Sequence, residues 1–439
     1  MASFTVTEHL VDGQYIREYP RSTATQDARL KLSVKKYTPV DNPNPQPGDV
    51  TIIGTHGTGF PKEMYEPLWE TLLARSKQDG FRIRAIWAVD VANQGASGVH
   101  NEQHLGNDAS WLDHSRDLLQ MINHFRDEMP RPIFGVGHSV GATQLAFLSL
   151  VHPRLFTSLL FIEPYIVPIM QPAGGAKRIK ATTRRKDIWP SRSAAEQEAR
   201  KSLRIWDPRV VDRWVQYGFR DLPTLIHSQP TTNSPDEGPP VTLTTTKHQE
   251  AFVYTRANFN RHRQLGLPDQ EGIEKANGPR PPHDPLTVPD MIGQMYAGQT
   301  FYRPEAVLAM QLVPFLRPPV LYVSGAKSAL TLEGGQVQAA QQTGTGFGGS
   351  GGMEYGRVKH IIIDRSGHTL PFEKVSATAD ALGPWLGQQL QQWKTDERRI
   401  AEGWESLSLK EKSTWSEEWR AASDAWFDAF VKKKSSSKL

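Results

Sequence analysis

The chain has 439 residues, 38% hydrophobic and 22% charged, which suits a soluble globular protein of one large domain with insertions, or of several ordinary ones. Its 51 basic and 47 acidic side chains leave a net charge of +4, too mild to call for nucleic acid as a partner. The absence of cysteine excludes disulfides, thiolate metal sites and a cysteine nucleophile. No apolar run reaches the length of a transmembrane segment, and the opening MASFTVTEHLVDG lacks the basic and apolar parts of a secretory signal.

In chain order, apolar and β-branched runs at Leu30–Tyr37, Val50–Thr55, Ile83–Val89, Ile133–Val136 and Ser158–Ile162 predict strands. Between them, EMYEPLWETLLARS and SWLDHSRDLLQMINHFRDEM carry helical periodicity. This alternation predicts an α/β fold, with a mainly parallel central sheet flanked by helices. Residues 165–316 break the pattern. They are rich in Pro, Thr, Arg and Lys, hold helical patches at SAAEQEARKSLRIW and VVDRWVQYGF, and read as loops at SQPTTNSPDEGPP and NGPRPPHDP. Strands resume at PPVLYVSG (318–325) and RVKHIIIDRSGH (357–368). The expected organisation is a core of residues 1–164 and 317–395, with a cap or lid of 165–316 inserted over the C-terminal strand ends, where ligands bind in open α/β sheets. Between the late strands, TGTGFGGSGG (343–352) matches G-x-G-x-x-G but opens no βαβ unit, so a mobile loop is expected there.

From about residue 385 the chain reads as helix, and residues 396–439 form a helical C-terminal tail. Trp415, Trp419, Ala422, Trp426 and Phe430 make a stripe expected to pack on the body or on a second subunit, making a homodimer an option. A membrane-surface helix is disfavoured by Glu417, Glu418, Asp424 and Asp428. The chain closes on Ser437-Lys438-Leu439, which reads as a peroxisomal matrix address recognised by an import receptor.

Gly137-His138-Ser139-Val140-Gly141 is G-x-S-x-G between a strand and a helix pattern. That context makes Ser139 a candidate nucleophile held on a strained turn. The Val140 N–H is one candidate donor to a developing oxyanion. The second is expected from Thr55-His56-Gly57-Thr58-Gly59-Phe60, from Thr58 with Gly59 as the alternative. Of 14 histidines, His368 lies just past the last strand and is the candidate base. His360 lies inside a strand and is expected to be structural, and His138 is expected to shape the elbow. The candidate acid is Glu163, at the exit of the apolar strand LLFI, where a carboxylate needs a partner; Glu333 and Asp364 are the reserves. No metal or cofactor is implied by this set.

With these residues in the order serine, acid, histidine, the chain resembles an α/β-hydrolase. The stretches IREYPRS, THGTGFPKEMYEPLW, RAIWAVDV, SGVHNE, DHSRDLL and FGGSGG, with the terminal SKL, are similar to fungal peroxisomal hydrolases of secondary metabolism. That group includes the acyl-CoA hydrolase of mycophenolic acid biosynthesis and hydrolases of host-selective toxin clusters. The resemblance implies an acyl-CoA thioesterase using Ser139, His368 and Glu163, although the mycophenolic acid enzyme carries aspartate at the position of Glu163. It also gives the basic residues Lys177, Arg178, Arg184 and Arg185 a candidate role on CoA phosphates, against the plain reading of a solvated basic loop. The alternatives are a carboxylesterase, lactonase or acyltransferase on an oxygen ester, and a non-catalytic binding protein on the same fold.

Overall fold

The computed structural model describes residues 3–169, 172–228, 238–257, 286, 289–290 and 301–432. The terminal Ser437-Lys438-Leu439, and most of the two segments read as Pro-rich loops, lie outside these residues.

Eight strands form the central sheet: β1 (Phe4–Asp12), β2 (Lys31–Pro39), β3 (Val50–Thr55), β4 (Ile83–Val89), β5 (Ile133–His138), β6 (Ser158–Ile162), β12 (Val320–Gly325) and β13 (Val358–Ile363). Their spatial order is β1-β2-β4-β3-β5-β6-β12-β13. The six strands from β4 to β13 in that order are parallel; β1 and β2 add an antiparallel edge. Sequence patterning found every strand of this sheet except β1, but none of the five short strands described between β6 and β12. The β1 run FTVTEHLVD is mostly exposed, as an edge strand can be, so it carries no continuous apolar signal.

Helices α1 (Glu66–Ser76), α2 (Gly95–His100), α3 (Trp111–His124) and α4 (Val140–Val151) alternate with the strands. Strand residues point alternately to the two faces. On one face Ile53, Trp87, Ile133, Leu159 and Tyr322 pack with α3, α4 and the helix Glu305–Leu312. On the other lie Gly54, against Trp69 of α1, and Ser158, whose hydroxyl accepts from the Trp385 indole at 2.9 Å.

Between β6 and β12 run α5 (Pro172–Arg184), β7 (Ile188–Trp189), α6 (Arg192–Ser202), α7 (Pro208–Tyr217), β8 (Phe219–Asp221), β9 (Val241–Leu243), α8 (Lys247–Tyr254), β10 (Arg256–Ala257) and β11 (Phe301–Tyr302). β7, β9 and β8 form a small antiparallel sheet, and β10 pairs with β11. The basic run from Lys177 to Arg184 lies on helix α5, not in a loop. The glycine-rich segment 343–352 is also not the expected mobile loop. Gly344, Gly346 and Ser350 donate their N–H groups to the carbonyls of Val313, Pro314 and Leu316 at 2.8–2.9 Å, which ties it to the body.

Residues Met1–Leu390 form one compact unit and Gln391–Leu439 a second. The helix Val375–Ala401 runs from the first into the second. In the second unit, Trp415 precedes the helix Glu417–Phe427 rather than riding on it, and its ring stacks on Trp419 at 5.7 Å. Trp419, Trp426 and Phe430 are exposed.

Candidate active site

Ser139 stands between the end of β5 and the start of α4 at a φ of 54°, a region that side chains rarely occupy. The turn closes because its flanking residues are glycines. A Cβ on Gly137 would lie 2.6 Å from Ala142 backbone, and one on Gly141 2.7 Å from the carbonyls of Thr55 and His56. The Ser139 N–H donates to the Ile162 carbonyl at 2.9 Å, and its own carbonyl accepts from Tyr165 at 3.2 Å. The elbow is thus stitched to the end of β6.

The hydroxyl of Ser139 lies 2.8 Å from Nε2 of His368. On the far side of that ring, Nδ1 lies 3.0 Å from Oε2 of Glu163. A carboxylate accepts, so Nδ1 carries the hydrogen, leaving Nε2 to accept from the serine. Glu163 follows β6 directly, is fully buried and has a φ of 50°. Burying a carboxylate is costly unless its lone pairs are met. Here they are: Oε1 accepts from Gly325 N–H at 2.5 Å, and Oε2 from the Ser328 hydroxyl at 2.6 Å and the Gln336 amide at 3.2 Å. The reserve carboxylates Glu333 and Asp364 are both exposed. His360, in β13, lies 2.8 Å from the Ser324 hydroxyl.

The loop after β3 is held just as closely. His56 Nδ1 lies 2.8 Å from the Gly57 carbonyl, while its Nε2 accepts the Val91 N–H at 2.9 Å. Burial lowers the His56 pKa, which keeps the ring neutral. Phe60 N–H also donates to the Gly57 carbonyl, at 3.2 Å. The peptide plane is rigid and trans, so the Thr58 N–H points opposite to that carbonyl. Gly59 N–H, the alternative donor, is already engaged by Gln94 Oε1 at 2.5 Å. Val140 is the first residue of α4, so its N–H has no intrahelical acceptor and lies at the positive end of the helix dipole.

Beside this cluster lies a cavity of about 440 Å³, walled by Phe60, Trp189, Trp206, Trp214, Phe219 and Leu243 among others. Phe60 joins the cavity to the elbow: its ring lies 6.2 Å from that of His138 and 5.9 Å from that of Trp206. The Trp206 indole is 3.3 Å from the Thr369 hydroxyl, next to His368. Of the basic residues singled out in α5 and after it, Lys177 and Arg184 are exposed. Arg178 packs over the rings of Tyr165 and Tyr254, and Arg185 pairs with the buried Glu250.

Sequence reasoning named the serine, histidine and glutamate that meet here. It missed Tyr65, Gln94, Ser328 and Gln336, which carry no motif and are brought in from other elements. A serine bonded to an imidazole whose far nitrogen meets a buried carboxylate is able to give up its proton while attacking a carbonyl carbon.

Several known proteins are similar to this chain. The Type I acyl-CoA thioesterase mpaH of Penicillium roqueforti is 41% identical over 413 residues, 91% of each chain. The abhydrolase domain-containing protein AFT2-1 of Alternaria alternata is 26% identical over 66% of this chain and 97% of its own. Among solved structures, the peroxisomal alpha-beta-hydrolase Lpx1 of Saccharomyces cerevisiae superposes with a TM-score of 0.64 over 99% of both chains, at 16% identity, a likeness of fold. The profile of the Alpha/beta hydrolase family matches residues 52–382. With the predicted sheet and three-quarters of its length covered by that profile, the chain belongs to the alpha/beta hydrolase family of enzymes.

Proposed function

We propose that this enzyme hydrolyses an acyl-CoA thioester through Ser139, His368 and Glu163. The observation that carries the reading is the unbroken path from the Ser139 hydroxyl through the His368 imidazole to Glu163, at 2.8 and 3.0 Å. Ser139 Oγ attacks the thioester carbon as its proton passes to His368 Nε2. The carbonyl oxygen becomes an oxyanion, which the N–H groups of Val140 and Thr58 receive; one such donor is worth roughly 3–4 kcal/mol to the transition state. The C–S bond then breaks, the thiol leaves with the proton from His368, and an acyl-serine remains. Water, deprotonated by the same imidazole, releases the free acid. Glu163 holds the tautomer and faces the imidazolium as it forms.

The 41% identity to a protein named as an acyl-CoA thioesterase supports thioester over oxygen ester. The segment between β6 and β12 acts as the cap, and the aromatic cavity takes the acyl group. Lys177 and Arg184 remain free to meet CoA phosphates, whereas Arg178 and Arg185 are held by their own neighbours. The terminal SKL addresses the enzyme to the peroxisome, where acyl-CoA thioesters are shortened.

The test is release of free CoA thiol from a panel of acyl-CoAs, beside matching simple esters. Ser139→Ala should abolish turnover while the protein melts as a folded chain. Undiminished turnover in that variant would rule the mechanism out. Equal or better rates on the simple esters would move the substrate to oxygen esters.

A further inference from the structure

His138, the last residue of β5, is buried and takes no part in the steps above. Its Nε2 lies 2.9 Å from the backbone carbonyl of His368. Its Nδ1 lies 2.6 Å from the Tyr65 hydroxyl, and that oxygen accepts the Gly57 N–H at 2.8 Å. The carbonyl can only accept, so the Nε2 position carries the hydrogen. Burial, then the neighbouring His368, push the His138 pKa down to about 3, so the ring is neutral and holds one N–H. Nδ1 is therefore an acceptor, and the Tyr65 hydroxyl must donate to it. Every hydrogen in the chain has one direction: Gly57 N–H to Tyr65 oxygen, Tyr65 O–H to His138 Nδ1, His138 Nε2–H to His368 carbonyl.

Both ends of this chain reach the reacting groups. The Gly57 N–H lies in the peptide just before the one that carries the Thr58 N–H, and the two planes meet at the Gly57 Cα. His368 sits on the loop after β13, and its side chain is 36% exposed, so packing alone does not fix it. We propose that His138 and Tyr65 are positioning residues, a relay that ties the base loop and the oxyanion loop to the strand end bearing Ser139. The relay rests on the proposed function above, since it positions the groups named there. Through it the nucleophile, the base and the Thr58 donor share one anchor. The plain alternative is that the two side chains merely satisfy buried polar atoms.

The test uses the full-length chain with His138→Phe, His138→Gln and Tyr65→Phe, each read by acyl-CoA turnover, by the rate of labelling with a fluorophosphonate and by thermal melting. A misplacement near 1 Å costs about 10²-fold in rate, so His138→Phe should lose about that much kcat and labelling rate. KM should stay within a factor of about two, since ground-state binding is untouched. Glutamine places an amide N–H near the Nε2 position. His138→Gln should therefore recover about tenfold of the loss while melting no higher than the phenylalanine variant. Tyr65→Phe removes one oxygen atom and should lose about tenfold in kcat. Folded variants with unchanged kcat and labelling, or a glutamine variant no faster than the phenylalanine one, would overturn the relay. So would nitrogen NMR that finds His138 protonated at Nδ1. A wild-type chain that neither cleaves thioesters nor reacts with the fluorophosphonate would instead overturn the proposed function, before any variant is compared.

Discussion

Ser139 and Glu163 share an unusual backbone: φ is 54° at one and 50° at the other, each one step past the end of neighbouring strands β5 and β6. Among the described residues the other non-glycine position with positive φ is Arg365, in the loop that carries His368. Such a conformation costs about 1–3 kcal/mol and persists where surrounding bonds dictate it. Here the Ser139 N–H to Ile162 and the Glu163 N–H to Val323 do so, at 2.9 and 2.8 Å. Glycine adopts this φ freely, so Ser139→Gly should be more stable than Ser139→Ala by about 1 kcal/mol in urea unfolding, with both inactive. Equal stabilities would mean that the elbow stores no strain.

Glu163 accepts four hydrogen bonds, from Gly325, Ser328, Gln336 and His368. In Glu163→Gln an amide NH2 must face some of these donors. The expected loss is about 1–3 kcal/mol of stability. Turnover should fall by about 10⁴-fold, because the imidazole loses the acceptor that fixes its tautomer. Glu163→Asp keeps the charge one methylene short and should retain more activity than the amide. Steady-state kinetics on the two proteins decides this, and an active glutamine variant would transfer the acid role elsewhere.

The parallel strands were legible because β3, β5 and β6 are buried on both faces and read as unbroken apolar runs. Ser139 and His368 were legible because glycines and strand ends mark them. Glu163 stood out as a lone carboxylate closing an apolar strand. The supporting donors were not legible: Gln336 is 173 positions from Glu163, and nothing local in sequence links the two. The orientation of the Thr58 N–H was equally hidden, since His56, Phe60 and Gln94 jointly set it. The glycine-rich segment 343–352 misled because composition suggests freedom, whereas its N–H groups are taken up by residues 313–316.

Leu243 is buried in the wall of the aromatic cavity. Leu243→Trp should fill part of that space. If the cavity takes the acyl group, kcat/KM for bulky acyl-CoAs should drop by about tenfold or more, while acetyl-CoA is spared. A uniform loss across acyl groups would point to a folding defect and not to a blocked pocket.

Beneath the loop that leads from β3 to α1, the Lys62 ammonium lies 2.7 Å from Asp90 and 3.0 Å from Glu63, all three buried. Asp90 also accepts the N–H groups of Lys62 and Ala96 at 2.9 Å. Removing one partner of a buried ion pair strands the other charge, at a cost of about 3–5 kcal/mol. Lys62→Met should therefore lower the urea midpoint strongly, and should weaken turnover because Asp90 and the loop shift together. A loss below about 1 kcal/mol would show that the remaining carboxylates protonate or find water at little cost.

Three buried imidazoles make stability depend on pH. Burial pushes the pKa of His138 down to about 3 and lowers those of His56 and His114. Their unfolded value is 6.5, so below that pH the unfolded chain binds protons that the folded chain refuses. Stability is complete above pH 6.5 and is lost as pH falls toward the folded values, at about 1.4 kcal/mol per pH unit for each group. Asp113, raised to about 6 by burial, works the other way, gaining stability as pH falls through 6, and Glu66 is shifted in the same sense. The net slope is therefore smaller than three histidines alone would give. His114 offers the clean measurement, because neither of its ring nitrogens has a partner among the described residues. In His114→Phe the slope of unfolding free energy between about pH 6 and about pH 5 should decrease by about 1.4 kcal/mol per unit. An unchanged slope would mean that His114 becomes protonated in the folded chain, with a proton-binding partner that its surroundings must then provide.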